Sequence, residues 1–170
     1  MTPASPAVHR LDPDRRVTDA LDGGAVPHRV VRHTELGDPV RSALDVARLL
    51  DIDPDRIAKT LVVTSQPRRD RFALVVLPVL LRVDFRRVSE HLGWNRATLA
   101  SAAELAERIG QPVDGVSPLG DHGLPVVIDT AMRSRPSVLV GAGTPGVEIE
   151  IAPRALMATT GACSASIAHR

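Results

Sequence analysis

The chain has 170 residues, 44% of them hydrophobic and 24% charged, with a formal net charge of +1. That length suffices for one domain with a core of its own, and the near-neutral balance excludes a global electrostatic pull toward nucleic acid, so any RNA contact must come from a local patch. A lone cysteine, Cys163, excludes an internal disulfide framework and a multi-cysteine metal site, and with 2% aromatic residues the core must be filled by Val, Leu, Ile and Ala.

Residues 1–12 are small, Pro-rich and polar and read as a flexible tail, followed by one domain over 13–160 and a short carboxyl-terminal tail over 161–170. Pro3, Pro6, Asp12 and Asp14 interrupt the apolar run a signal peptide needs, and no stretch of about 18 apolar residues occurs, which predicts a cytoplasmic protein without membrane contact. Asp12 and Pro13 read as the cap and first position of a helix running through Leu21 and closed by Gly23 and Gly24. A short strand over 28–32 follows. Ala43, Val46, Ala47 and Leu50 recur at helical spacing, and Asp53 with Pro54 starts a further turn. That turn leads into the β-rich run Thr60 to Val63, which the loop 66–71 joins to Phe72 to Leu77 as a hairpin.

Asp84 caps a helix with Phe85, Val88 and Leu92 on one face and Gly93 at its end, and Ser101 with Glu104 forms a capping box for another helix ending near Gly110. Strands are predicted over 126–128, 138–140 and 147–151, then a short helix opened by Pro153. Helices and strands interleave irregularly and several connections are too short for repeated crossovers, so the fold class is α+β, a single domain with a mixed sheet.

Gly141, Gly143 and Gly146 literally match G-x-G-x-x-G, but a dinucleotide site needs a helix after the glycines, and Val147 to Ile151 alternates like a strand; a tight turn between strands is the better reading. Gly115 to Gly120 is a second glycine-bounded loop. It reads equally as a plain connection or as a wall whose amides and Ser117 hydroxyl meet a carbonyl or ribose oxygen. No serine or cysteine is paired with a base at a recognised spacing, and the six histidines are dispersed, so neither a nucleophile of the protease type nor a metal is predicted, and no cofactor. Arg68, Arg69 and Arg71, with Arg82, Arg86 and Arg87, could meet phosphates, though in a chain with twenty arginines a solvated face is the simpler account. The only lysine, Lys59, stands at a turn-to-strand junction, where its ammonium can project partly desolvated into a cleft.

The order Ile57-Ala58-Lys59-Thr60-Leu61-Val62-Val63, Leu77-Pro78, Val83-Asp84, Gly115 to Gly120, Leu124 to Asp129 and Gly141 to Ile151 resembles the YbaK-like aminoacyl-tRNA deacylases, closest to the Cys-tRNA(Pro) type, over roughly Val26 to Met157. The resemblance implies a partly barrel-like sheet flanked by helices and a small pocket for an amino acid esterified to the acceptor end of tRNA. It implies Lys59 as the catalytic side chain. It implies substrate contacts from Thr34, Thr60, Asp114, Gly115, Val116, Ser117, Pro118, Gly120, Gly141, Gly143, Gly146 and Glu148, the last at a position usually acidic in the family. Thr34 falls near the place of a tyrosine common in relatives that clear cysteine, and Asp114 replaces a common glycine.

The implied function is trans-editing, the removal of a wrongly attached small amino acid by ester hydrolysis, or by release through the substrate's own thiol if the amino acid is cysteine. The implied partners are aminoacyl-tRNA and a prolyl-tRNA synthetase, with no DNA. The alternative is a non-catalytic module that binds tRNA or a synthetase and keeps the fold.

Overall fold

A computed structural model describes residues 10–170. Five helices and ten strands follow one another as α1 (Arg15–Gly23), β1 (His28–Arg32), α2 (Ala43–Leu50), β2 (Ala58–Gln66), β3 (Phe72–Pro78), β4 (Arg82–Val83), α3 (Phe85–Leu92), β5 (Arg96–Leu99), α4 (Ala102–Arg108), β6 (Val126–Asp129), β7 (Val138–Gly141), β8 (Val147–Ile151), α5 (Pro153–Thr160), β9 (Cys163–Ala165) and β10 (Ala168–His169).

The centre is β3, in which every residue is buried. It pairs antiparallel with β2 and parallel with β6 in a five-stranded sheet of order β5-β2-β3-β6-β9. Because successive side chains leave a strand on opposite faces, Phe72, Leu74 and Val76 enter one core cluster, while Ala73, Val75 and Leu77 enter another with Val88 of α3 and Ile167. The first cluster also takes Val138 and Val140 of β7 and Ile149 and Ile151 of β8, so it lies between the five-stranded sheet and a three-stranded antiparallel sheet of order β1-β8-β7. On the far face of that smaller sheet a third cluster joins Val31 and Leu139 to Val46 and Ala47 of α2 and to Ile57. The sheets approach at Ile57, which makes an isolated parallel bridge to Leu139, and they do not close into a barrel. The fold is the expected single α+β domain with mixed sheets.

The helices α3 and α4 start where their caps predict, and α2 opens on a capping box of its own. The Ser42 hydroxyl accepts from the Asp45 amide while the Asp45 carboxylate accepts from the Ser42 amide, and Ser101 and Glu104 repeat the arrangement on α4. Asp84 caps α3, and Gly93 closes it in the left-handed conformation that glycine adopts without strain.

Two expectations are corrected. The cap of α1 is Asp14, not Asp12, since the Asp14 carboxylate accepts the Arg16 amide; Asp12 instead pairs with Arg32 across 2.9 Å. Residues 161–170 are not a tail: β9 adds to the five-stranded sheet, β10 pairs with β4, and fully buried Ile167 donates its amide to the Asp129 carboxylate at 2.9 Å. The buried isoleucine and the sheet partners gained by the backbone around it together offset the entropy of ordering a chain end. The strands β4 and β5 have no counterpart among the expected elements. Of the residues expected as an amino-terminal tail, 1–9 lie outside the described residues, and the Leu11 carbonyl accepts from Arg32 at 2.6 Å.

Candidate active site

Beside the bridge between Ile57 and Leu139, a cleft of about 440 Å³ opens between the start of β2, the first turn of α2, the edge of the three-stranded sheet and the loop after α4. Lys59 lies opposite Leu77 in the hairpin register. Its side chain lines the cleft, partly buried, and donates from Nζ to the Val79 carbonyl at 3.3 Å. Burial lowers the Lys59 pKa from the ordinary lysine value, and the nearby Arg82 cation lowers it further.

The same cleft is lined by Glu148, cross-strand neighbour of Gly141 on β7 and of Val31 on β1. His33, in the tight turn that follows β1, places Nε2 2.8 Å from Glu148 Oε1. Glu148 Oε2 is buried with no hydrogen-bond partner, as is the Thr60 hydroxyl beside Lys59. Unpartnered buried polar atoms are uncommon in folded chains, and two of them belong to residues of this cleft.

The glycines explain how the walls close up. A Cβ on Gly141 would overlap the Val116 carbonyl oxygen and lie 3.3 Å from that of Gly115; a Cβ on Gly115 would sit 3.0 Å from the Pro145 nitrogen. The loop over 113–116 is thus laid directly on the turn over 141–146. That turn joins two antiparallel strands, with Ala142 donating to Val147 at 3.1 Å and Gly143 and Gly146 at positive φ. It is a hairpin connection, not the start of a nucleotide-binding helix.

Of the residues singled out in the sequence, Lys59, Thr60, Asp114, Val116, Gly141, Gly146 and Glu148 line one cleft. The others stand elsewhere. Thr34 is exposed on the turn beside His33. Gly115 is buried against Thr144 and Pro145, and Gly143 against Asp14 and Gln111. Pro118 and Gly120 line a separate pocket of about 260 Å³ with His122. Ser117 is fully buried: its amide donates to Gln111 Oε1 at 3.0 Å and its hydroxyl accepts the Leu119 amide at 3.1 Å. The Gly115 amide in turn donates to Pro112. These bonds hold the loop in shape and take up the donors at Gly115, Ser117 and Leu119, which corrects the picture of Ser117 and a row of free loop amides facing a substrate.

Sequence reasoning missed His33, Val40, Arg41 and Ser42, all on the cleft wall. The capping box at Ser42 was a readable signal that a helix begins there, but nothing local shows that this turn faces Lys59. Among the described residues no group of three His, Cys, Asp or Glu side chains could hold a metal ion, and no helix is long and apolar enough to cross a membrane.

Residues 37–159 match the family model of the aminoacyl-tRNA editing domain. Over 102 residues the chain is 28% identical to a proline–tRNA ligase of Thermosipho africanus, a match covering 60% of this chain and 18% of that protein. The chain therefore spans under a fifth of that ligase's length. Over 120 residues it is 28% identical to EbsC of Enterococcus faecalis, a candidate Cys-tRNA(Pro)/Cys-tRNA(Cys) deacylase, covering 70% of this chain and 72% of that one. Among solved structures, a hypothetical protein superposes with a TM-score of 0.80 at 28% identity, covering 91% of this chain and 100% of its own. A candidate trans-editing enzyme for prolyl tRNA synthetase superposes with a TM-score of 0.76 at 25% identity, covering 92% and 96%.

Proposed function

Because the chain belongs to the aminoacyl-tRNA editing domain family, we propose that it is a free-standing deacylase that clears a wrongly attached small amino acid from tRNA, with Lys59 as its catalytic residue. The observation that carries this reading is the placement of the only lysine, partly desolvated, on the wall of a cleft that also holds Thr60, Asp114 and Glu148.

The chemistry follows from the donors present. An ester carbonyl seated near Nζ gains negative charge as its carbon turns tetrahedral, and a cation in a partly dry cleft stabilises that charge more than it stabilises the neutral ester. The attacking oxygen comes from water. It adds to the carbonyl carbon, the bond to the ribose oxygen breaks, that oxygen takes a proton, and free amino acid and tRNA leave. With a cysteinyl ester the substrate's own sulfur could attack in place of water, releasing a thiolactone. Either route asks the protein for charge and position and for no nucleophile of its own. A Cys-tRNA(Pro)-like substrate is supported by the likeness to the Enterococcus faecalis protein, and a prolyl-tRNA synthetase partner by the match to a ligase of that type.

The test is a panel of mischarged tRNAs, including Cys-tRNA(Pro) and Ala-tRNA(Pro), incubated with purified protein. Release of one or two small amino acids well above spontaneous hydrolysis is the expected result. Binding of tRNA with no release across the panel would favour a non-catalytic module.

A further inference from the structure

Part of the cleft that Lys59 lines is built from acceptors. Glu148 is a carboxylate whose Oε1 is engaged by His33 at 2.8 Å and whose Oε2, enclosed in the protein, has no donor. Beside it, Gly141 has no side chain, and the space a Cβ would take is filled by the Val116 carbonyl oxygen, with the Gly115 carbonyl oxygen 3.3 Å from the same point. Cross-strand neighbours in an antiparallel pair hold their Cβ positions roughly 4.5–5.5 Å apart, so these two carbonyls lie next to the Glu148 side chain. The loop amides of Gly115, Ser117 and Leu119 are spent inside the loop or on Gln111. A carboxylate oxygen without a donor is costly to bury, and a ligand bringing N–H groups and positive charge removes that cost.

Resting on the deacylase reading above, we infer that Glu148 with the Val116 and Gly115 carbonyls is the seat of the substrate's free α-ammonium group, and that His33 is the residue positioning Glu148 for it. The arrangement divides the cleft by charge. The acceptor wall takes the ammonium, and Lys59 takes the carbonyl oxygen of the same aminoacyl group. The substrate class is then an ester of an amino acid with an unblocked amine, and an N-acylated amino acid is rejected whatever its side chain. His33 contributes by fixing one carboxylate oxygen through Nε2, which leaves the other turned to its ligand.

The experiment compares 3′-(L-alanylamino)-3′-deoxyadenosine, whose amide resists cleavage, with its N-acetyl derivative, by calorimetry. Losing a charge-assisted hydrogen bond costs about 10- to 100-fold in affinity, so the wild-type protein should bind the free amine tighter by that factor. Glu148→Gln, which keeps the shape and removes the charge, should shrink the preference to within about threefold. His33→Ala should weaken the free amine alone and leave the acetylated probe unchanged, a result that a merely structural role would not give. Equal affinity of the wild-type protein for the two probes, no binding of either, or an equal loss of both in Glu148→Gln would overturn the inference. The readout needs no turnover. A protein that separates the two probes yet releases nothing from the tRNA panel would retain this seat and lose the deacylase reading.

Discussion

The two sheets of this domain use the same amino acids differently. In the five-stranded sheet, β3 is buried on both faces and contributes no charge. In the three-stranded sheet, β8 alternates, with Val147, Ile149 and Ile151 buried and Glu148 and Glu150 on the other face, under α2. Glu150 is fully engaged: burial opposes its charge, but Ser137, Arg29 and Arg56 outweigh it and hold its pKa below the ordinary value. Glu148, two residues earlier on the same face, keeps an oxygen without a donor. The five-stranded sheet is a scaffold whose central strand carries no polar side chain. The three-stranded sheet leaves one carboxylate oxygen without a donor, and Lys59 stands where the two sheets meet.

That contrast can be broken deliberately. The largest expected effect is on the scaffold: Leu74→Ala, at a fully buried position of β3, should lower stability by about 2–5 kcal/mol in denaturant unfolding while the folded fraction keeps its activity. Gly141→Ala should cost about 1–3 kcal/mol, because the new methyl collides with the Val116 carbonyl and the loop must move. Unlike the first variant it should also reduce deacylation per folded molecule, since the displaced loop forms the cleft wall. Ser42→Ala removes a capping hydroxyl at the mouth of the cleft and should cost about 1 kcal/mol, read as a small fall in Tm.

The smallest effect is electrostatic. The Lys59 pKa is lowered first by burial and then by Arg82, so its cation, and editing with it, is lost on the alkaline side at a pH below the ordinary lysine value of 10.5. Removing the Arg82 charge leaves only burial. Arg82→Ala should therefore move the alkaline limb of the pH–rate profile upward, still short of that ordinary value.

Much of this contrast is legible in the sequence, because local signals and the fold agree. The β2–β3 hairpin, the caps at Asp84 and Ser101, and the alternation of β8 all follow from residue type and spacing. The strand β5 is not legible, since Arg96-Ala97-Thr98-Leu99 lacks a strong period and owes its conformation to pairing with the end of β2. The strands near the carboxyl end depend likewise on partners more than thirty residues away. In the site, Lys59 and Glu148 stand out as charges in apolar runs. His33 does not, because its meaning comes from a neighbour 115 positions along the chain. Ser117 misleads for the converse reason: its loop has the composition of a ligand-binding wall, and its hydrogen bonds turn inward.

The measurement that bears most directly on the central claim is deacylation by Lys59→Ala, against whichever mischarged tRNA the unmodified protein clears, with thermal unfolding recorded on the same sample. Losing one preorganised group that stabilises a developing oxyanion costs about 100- to 1,000-fold in rate. A fall of that size with Tm unchanged is the predicted result. Full activity in the folded variant would contradict the account.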